Sequence, residues 1–451
     1  MPQSSRHNLK SSESVPLQRR LAPLFLCGLS LSLVTACTRP EASGGGGGGG
    51  GGTGTVTVLG AFTGEQQANL QAALAPFEEE TGIRVIYEGS DAFATLLPIR
   101  VDSGDAPDVA LFPQPGLMTQ FIANGQMVPI TDFIGQEELS QAFPEDWLAL
   151  ATLNDELYGV WLRAAVKSLV WYSPQQFAER GYTVPTTWDE MMALSDRIVA
   201  DGDTPWCLGV AAGDATGWVG TDWVEDIMLR TAGPEVYDQW VTNELPFDSQ
   251  PVQTAFATFG EIARNPEYVP GGGVGALSTP YGDAVQGLFT DPPRCFLHRQ
   301  GNFISGFIQE GVDLEQDVGI FPLPPIDPQF GTPILVGGDL FGVFNATPEA
   351  QALMEYFLTP TPHEIWASLG AFLSPHRQVP PEFYPDELTQ RQAEILVNAD
   401  VLRFDASDLM PSTVGTGTFW SGAVDYIAGS DLDRVLSRIQ ASWPDPEEGV
   451  Y

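Results

Sequence analysis

The sequence predicts an α/β protein built from two lobes. Three observations indicate this: short β-rich runs alternate with helical periodicity from residue 55 onward, the middle of the chain is mainly helical, and strand character returns in 334–344. The chain has 451 residues, and 415 remain if the first 36 are removed as a signal peptide. That length suits two lobes rather than one hydrophobic core.

The alternation is clearest between residues 55 and 124. Three β-rich runs are each followed by apolar residues at helical spacing. The runs begin at Thr55, Ile83 and Asp108, and the helices are expected over 66–81, 93–103 and 117–124. Alternation of this kind predicts a parallel, doubly wound sheet.

The remaining elements follow from local signals. Thr187, with Glu190 three residues later, can cap a helix over 188–200. The glycine-rich segment 271–276 contains a loose dinucleotide-binding pattern, but it follows a proline rather than a strand, so we expect a loop. Further helices are expected over 348–357, 362–369 and within 385–443, with a Gly/Thr-rich break at 415–418.

The N-terminal 54 residues predict export and anchoring. Arg19 and Arg20 precede the apolar run 21–34, which is shorter than the about 20 residues that a membrane span needs. The run ends in Val-Thr-Ala-Cys, which resembles the lipobox of bacterial lipoproteins. We therefore expect a lipoprotein signal peptide over 1–36, lipid on Cys37 and a glycine-rich tether over 37–54.

The chain is strongly acidic, with a formal net charge of −38. The first 36 residues carry a net charge of +3, so their removal would leave −41. Such acidity argues against nucleic acid or an anionic membrane surface as a partner. It also disfavours an anionic ligand, unless a local positive site overrides the field.

Lysine is almost absent from this acidic chain. Lys10 lies in the expected signal peptide, so Lys167 would be the one lysine of the mature protein. Its apolar surroundings over 160–172 indicate a specific role for the ammonium group. The alternative is an ordinary ion-paired or surface lysine.

The cysteines divide by position. Cys27 lies in the expected signal peptide and Cys37 is the expected lipid site, which leaves Cys207 and Cys295. An even pair outside the cytoplasm is most simply one disulfide, and two free buried cysteines are the alternative. The four histidines lack the spacing of zinc ligands, so we expect no metal and no cofactor.

Catalytic motifs are absent from the sequence. It contains no phosphate-binding loop, no second histidine of a zinc protease and no Gly-x-Ser-x-Gly elbow after the signal peptide. A catalytic carboxylate pair cannot be singled out among so many acidic residues. These absences modestly favour binding over catalysis.

Several longer segments carry a family resemblance. They are 57–65, 107–116, 166–173, 205–209, 217–226, 295–300 and 404–411. In these segments the chain resembles the bacterial ABC-transporter extracellular solute-binding proteins, the family that includes maltose-binding proteins, and within it the α-glucoside and glucosylglycerol branch. The resemblance covers about 55–443.

The resemblance implies a two-lobed periplasmic solute-binding protein fold with hinge strands and a ligand cleft between the lobes. The expected boundaries are 55–164 with 325–372 for lobe 1, and 165–324 with 373–451 for lobe 2. The expected partners are a neutral sugar or glycoside and the ABC permease subunits of the inner membrane. The protein is expected to be a monomer in the periplasm or on the outer face of the cytoplasmic membrane. The alternative function is an extracellular glycoside hydrolase.

A sugar site needs aromatic platforms for the ring faces and polar groups for the hydroxyls. Glu65 and Gln114 are candidate ligand-binding residues because each follows a predicted strand, and the resemblance implies the same role for them. The further candidates, taken mainly from the resemblance, are Lys167, Trp218, Asp222, Trp223, Asp339, Phe372 and Trp420. We expect Lys167 to donate a hydrogen bond to a sugar hydroxyl. For the tryptophans the alternative is packing in the core.

Overall fold

The computed structural model describes residues 54–379 and 383–444. The expected signal peptide over 1–36, Cys37 and all but the last residue of the tether over 37–54 lie outside the described residues. No helix among the described residues combines the length and the apolar character that a membrane crossing requires.

The described residues form a mixed α/β structure. The strands are β1 Thr55–Gly60, β2 Arg84–Gly89, β3 Val109–Phe112, β4 Thr152–Leu153, β5 Glu156–Leu157, β6 Gly159–Val166, β7 Leu169–Tyr172, β8 His298–Arg299, β9 Gly319–Pro322, β10 Ile334–Val343 and β11 Leu402–Phe404. The helices are α1 Gly64–Thr81, α2 Phe93–Asp102, α3 Pro115–Ala123, α4 Gln136–Ala142, α5 Glu145–Ala149, α6 Pro174–Arg180, α7 Trp188–Ala200, α8 Trp218–Thr231, α9 Pro234–Val241, α10 Gln250–Ala263, α11 Gly272–Ser278, α12 Tyr281–Ala284, α13 Pro348–Tyr356, α14 Pro360–Leu369, α15 Glu387–Val397, α16 Ala406–Leu409, α17 Trp420–Ile427 and α18 Leu432–Gln440.

The first lobe is built on a six-stranded sheet. β1 lies parallel between β2 and β3, and this confirms the sheet that the alternation predicts. The first three strands and helices agree with their expected positions to within a few residues. β10 joins antiparallel beside β3, and it also pairs with β6 and β11.

β10 and β6 connect the two lobes. All ten residues of β10 are buried, and both of its edges are paired, one with β6 and the other with β11 and β3. Buried strands of this kind are expected to be almost continuously apolar. β6 leads directly into the second lobe, and β10 returns from it.

The second lobe is mainly helical around the small sheet β8-β7-β9. Side chains of β7 alternate between two hydrophobic clusters: Leu169 and Trp171 belong to the cluster of the first lobe, and Val170 belongs to that of the second. Successive strand residues point to opposite faces, so this sheet is buried on both sides.

The expected lobe boundary at residue 372 is followed by a segment that contacts the strands of the first lobe. Leu373 pairs with Ala164 of β6, and Leu388 and Phe404 belong to the hydrophobic cluster that contains the strands of the first lobe. After Leu373, the first described residue that belongs to the second cluster is Ala406. This segment contains the strand β11, which is three residues long and pairs with β10.

The glycine-rich segment 271–276 was expected to be a loop, and this prediction is wrong. Residues from Gly272 form α11, and Gly271 caps it with a φ of 73°. A Cβ at Gly273 would lie 2.5 Å from the carbonyl oxygen of Ile427, so glycine allows close packing against α17. Tertiary packing here outweighs the low helix propensity of glycine.

The expected break at 415–418 is also not a break. Thr413–Phe419 forms a π-helix that continues into α17. The helix predicted over 188–200 is confirmed as α7: the Thr187 side chain accepts from the Glu190 N–H, while the Glu190 carboxylate accepts from Thr186 instead of Thr187.

Cys207 and Cys295 form the expected disulfide, with their Cα atoms 5.3 Å apart. Both cysteines are buried, and the Cys207 N–H donates to the carbonyl of Leu297. The bond therefore joins the chain after α7 to the segment that enters β8.

Reduction of this disulfide should lower the free energy of unfolding by up to about 4–5 kcal/mol, because it closes a long loop in the unfolded chain. Urea unfolding with and without a reductant measures the difference. A Cys207→Ser, Cys295→Ser double variant should unfold identically in both conditions. Free thiols located at both Cys207 and Cys295 by peptide mapping of the oxidised protein would contradict the assignment.

Candidate ligand-binding site

A cavity of about 600 Å³ lies between the two lobes. The first lobe contributes residues that follow β1 and β3 and the start of α1, and the second contributes the turn before α8, the region of α12 and the segment 303–307. Parallel sheets place ligands beyond the carboxyl ends of their strands, where this cavity is. Its volume suits a small molecule, since such sites commonly measure about 300–1,000 Å³.

Six of the nine candidate residues line this cavity: Glu65, Gln114, Lys167, Trp218, Asp339 and Trp420. Asp222, Trp223 and Phe372 are fully or almost fully buried and do not line it. The cavity is also lined by residues that the sequence did not single out, among them Arg163, Trp366 and Asp408.

Trp223 and Phe372 pack in the protein interior. The ring of Trp223 stacks on Phe259 at 5.9 Å, and Phe372 stacks on Trp366 at 4.9 Å. Trp218 and Trp223 are five residues apart on α8, which rotates them by about 140° relative to each other. They therefore cannot share one face, and only Trp218 reaches the cavity.

The indole rings of Trp218 and Trp420 are held in place by their neighbours. Trp218 packs against Tyr281, with 5.0 Å between ring centroids. The Nε1 of Trp420 donates to the hydroxyl of Ser407 over 3.3 Å. Such fixed aromatic surfaces suit the apolar faces of a ring-shaped ligand.

Arg163 and Asp339 form an ion pair on the strands that connect the lobes. Arg163 Nε donates to Asp339 Oδ2 over 2.7 Å, and the guanidinium group lies 4.5 Å from the ring centre of Phe62. The pairing register of β6 and β10 shifts immediately after this pair, a bulge of the kind that redirects side chains near binding sites. Arg163 Nη1 is buried and has no hydrogen-bond partner among the described residues.

Gln114 presents a second buried group without a partner. It precedes α3 as the N-cap residue, but its side chain does not cap the helix. Its Oε1 atom accepts no hydrogen bond from the described part of the chain, although the residue is buried and lines the cavity. A buried acceptor without a donor costs about 1–3 kcal/mol, which a ligand hydroxyl would recover.

The Lys167 ammonium group is surrounded by carboxylates. Nζ donates to Asp222 Oδ1 over 3.0 Å and to Asp405, and it lies 3.7 Å from Asp408 Oδ2. The ring centre of Trp218 is 5.6 Å away. Two of the three ammonium donors are therefore used within the protein, as in the ion-paired alternative for this lysine.

Burial and the lysine together set the protonation of this cluster. Burial raises the pKa of Asp222 to about 8, and burial also raises the pKa values of Glu225 and Asp408 well above the ordinary range. Burial also opposes ionisation of Asp405, but Lys167 and hydrogen bonds from neighbouring side chains lower its pKa to about 2. Burial disfavours charge on Lys167, yet the surrounding carboxylates raise its pKa well above the usual value. Lys167 and Asp405 are thus the charged pair at the centre.

Carboxylate oxygens of Asp222, Glu225 and Asp405 lie within 4.8 Å of one another. Three carboxylates at this spacing have the chemistry of a site for a hard cation. Here the Lys167 ammonium already pairs with two of them, so the chain itself supplies the positive charge.

A second layer of ion pairs supports this cluster from α8. Asp226, one helical turn after Asp222, accepts hydrogen bonds from Ser168 over 2.7 Å, from Arg299 over 2.9 Å and from Arg230. All of these groups are buried. Asp222 therefore supports Lys167 rather than facing the cavity.

Residues 63–363 match the family model of bacterial extracellular solute-binding proteins, and the chain belongs to that family. It is 58% identical over 416 residues to the osmoprotective compounds-binding protein GgtB of Synechocystis sp., which covers 92% of this chain and 97% of the relative. It is 41% identical over 396 residues to the alpha-glucosides-binding periplasmic protein AglE of Rhizobium meliloti, which covers 86% of each.

The fold is also that of a solved bacterial solute receptor, AcbH. The two structures superpose with a TM-score of 0.76 at 18% sequence identity, over 87% of this chain and 97% of that receptor. These comparisons confirm the expected fold and the expected class, an extracellular solute-binding protein of a transporter. The class is one of binding proteins rather than enzymes, so the glycoside hydrolase alternative is not favoured.

Replacement of Lys167 by Met should destabilise the fold at pH 7. The change leaves the Asp405 carboxylate buried without its cation, and breaking a buried ion pair costs about 3–5 kcal/mol. The loss should shrink at pH 5, because an unpaired buried carboxylate takes up a proton more readily. Urea unfolding at both pH values measures the effect.

A Lys167→Met, Asp405→Asn double variant is the matched control and should recover much of the lost stability. If Lys167→Met were as stable as the unsubstituted protein at pH 7, the central ion pair would not have the structural role assigned to it.

Proposed function

We propose that this protein captures a neutral α-glucoside or compatible-solute sugar, such as glucosylglycerol, sucrose or trehalose, for a bacterial ABC importer. The names of two relatives support the ligand class, since one binds osmoprotective compounds and the other α-glucosides. The captured ligand would pass to permease subunits in the cytoplasmic membrane. The protein would act as a monomer.

The observation that carries this proposal is the pairing of aromatic rings with unsatisfied polar atoms in one cavity. Trp218, Trp366 and Trp420 offer apolar ring surfaces, while Gln114 Oε1 and Arg163 Nη1 lack partners among the described residues. A sugar has apolar ring faces and a fringe of hydroxyl groups that match both features. An entirely apolar ligand would leave the two polar atoms unpaired.

The charges around the cavity favour a neutral ligand. Two cations line it, and both are already paired: Arg163 with Asp339, and Lys167 with Asp222 and Asp405. Acidic side chains also line the cavity, namely Glu65, Asp91, Asp283 and Asp339. An anion would meet these carboxylates with no free cation among the described lining residues to offset them.

The ligand would contact residues that line the cavity, namely Glu65, Gln114, Arg163, Trp218, Asp339, Trp366, Asp408 and Trp420. Lys167 would have a supporting role rather than contact the ligand. Because its donors are directed to Asp222 and Asp405, it would position Asp408, the carboxyl group of this cluster that lines the cavity. Asp222, Trp223 and Phe372 would support the site from behind.

A panel of neutral glucosides, read by thermal shift and then by calorimetry, tests the function. Glucosylglycerol, sucrose or trehalose should raise the unfolding temperature and remain chemically intact. An anionic sugar phosphate should have no effect. If none of the neutral sugars bound, or if one were hydrolysed, the proposal would fail.

Gln114→Ala should weaken binding of the best ligand about 5- to 150-fold, the loss expected for one hydrogen bond inside a closed site. The thermal stability without ligand should change little, because the side chain makes no hydrogen bond to the rest of the described protein through Oε1. Gln141→Ala, an exposed glutamine on α4, is the control and should bind normally. Equal affinity for both variants would remove Gln114 from the site.

We also propose that the mature protein begins at Cys37 and is anchored by lipid on that residue. The signal-like segment 1–36 and the Val-Thr-Ala-Cys sequence support this, as does the extracellular character of the family. The glycine-rich tether would then leave the binding body free to reorient above the membrane.

Cys37→Ala should transfer the protein from the membrane fraction to the soluble extracytoplasmic fraction with unchanged sugar affinity. Cell fractionation and calorimetry measure the two properties. A Cys37→Ala protein that still sediments with membranes would show that something other than this lipid holds it there.

A further inference from the structure

A smaller pocket of about 210 Å³ adjoins the main cavity. Three residues, Asp91, Ala215 and Trp420, line both spaces, so the two spaces are adjacent. We call this smaller space the side pocket. Its walls come from both lobes: α2 contributes one side, and the turn at 214–215 with the π-helix contributes the other.

Polar residues make up just over half of the lining of the side pocket. The carboxyl groups of Asp91 and Asp214 line it together with the threonine side chains of 95, 413 and 416. Carboxylates accept strong hydrogen bonds from hydroxyl groups, and threonine hydroxyls both donate and accept. No lysine or arginine is among the described residues that line it. Its chemistry therefore fits a neutral group with several hydroxyls and opposes an anion.

Trp420 is a fixed wall between the two spaces. The residue is 5% exposed, and its Nε1 donates to Ser407, which in turn donates to Asp405. Gly217, with a φ of 128°, packs against the Trp420 backbone so closely that a Cβ there would lie 2.4 Å from the carbonyl oxygen. Because Ser407 and Gly217 fix the position of Trp420, this side chain can lie between two chemically different parts of one ligand.

The size of the side pocket suits a small substituent. Its volume corresponds to about seven water molecules at about 30 Å³ each. That space holds a group with a few carbons and hydroxyls beside the larger unit in the main cavity.

We propose that the side pocket is the subsite for the non-glucosyl part of the ligand. The glucosyl ring lies in the main cavity, and a neutral polyhydroxy substituent, such as a glyceryl group or part of a second sugar, passes Trp420 into the side pocket. This inference rests on the proposed function and deepens it, because it makes the side pocket the element that selects among α-glucosides.

Thr95→Phe tests the inference by filling the side pocket. Thr95 is exposed on α2 and lines the side pocket but not the main cavity. Ile99→Phe, one turn further along α2 at a residue that is 60% exposed, is the matched control. Calorimetry with methyl α-glucoside, glucosylglycerol and sucrose compares a one-part ligand with two-part ligands.

Thr95→Phe should weaken binding of glucosylglycerol and sucrose by about 10-fold or more, while methyl α-glucoside binds as before. Ile99→Phe should bind all three ligands normally. Unchanged affinity for the two-part ligands, or an equal loss for methyl α-glucoside, would overturn the subsite. If the unsubstituted protein bound none of the three, the proposed function would fail, which is a different result.

A second comparison tests the charge of the side pocket. Glucosylglycerol and glucosylglycerate differ by one carboxylate, and the neutral compound should bind more tightly. Asp214→Asn removes one negative charge from the side pocket alone and should narrow that preference. A preference that Asp214→Asn left unchanged would contradict placement of the substituent beside Asp214.

Discussion

The pairing of Lys167 with buried carboxylates is the interaction on which the site depends. It joins three segments that are far apart in the chain: the connection between β6 and β7, the helix α8 through Asp222, and the segment before α16 through Asp405. A buried charge is very unfavourable without a partner, so these segments cannot separate at low cost. Asp408 reaches the cavity from the same segment as Asp405, and its position follows from this pairing.

The connecting strands β6 and β10 also contain a partly buried charge, Arg163, that is paired with a carboxylate. β6 and β10 are almost wholly apolar, yet each places one charged residue at the bulge, and the two residues pair with each other. The pair is partly satisfied internally, and Arg163 Nη1 remains free of a partner in the described structure. Buried groups of this kind favour a hydrogen-bonding ligand, because such a ligand can pair with them without breaking a hydrogen bond within the described protein.

The acidity of the chain and the chemistry of its cleft have different consequences. A net charge of −38 sets the long-range field, which repels anions and is screened within about 8 Å at moderate salt. Within the cleft, the cations of the described lining are held by neighbouring carboxylates, so selection depends on hydrogen bonds and ring contacts. The long-range field does not repel a neutral polyhydroxy ligand. The hydrogen-bonding groups and aromatic rings of the cleft can bind such a ligand.

By itself, the sequence determined the local structure of the first lobe, the disulfide and the family of the chain. The local structure follows from short-range periodicity, and the disulfide follows from the number of cysteines. The family follows from motifs that are contiguous in the sequence. It also placed Glu65 and Gln114 correctly beside the cavity, because position after a parallel strand is a local property. It could not show that Trp218 reaches the cavity while Trp223 packs inside, nor that 271–276 forms a helix. Those outcomes depend on which neighbours each face of a helix meets. The partners of Lys167 lie 55 and 238 residues away, so only the tertiary structure could decide that its ammonium is directed to carboxylates.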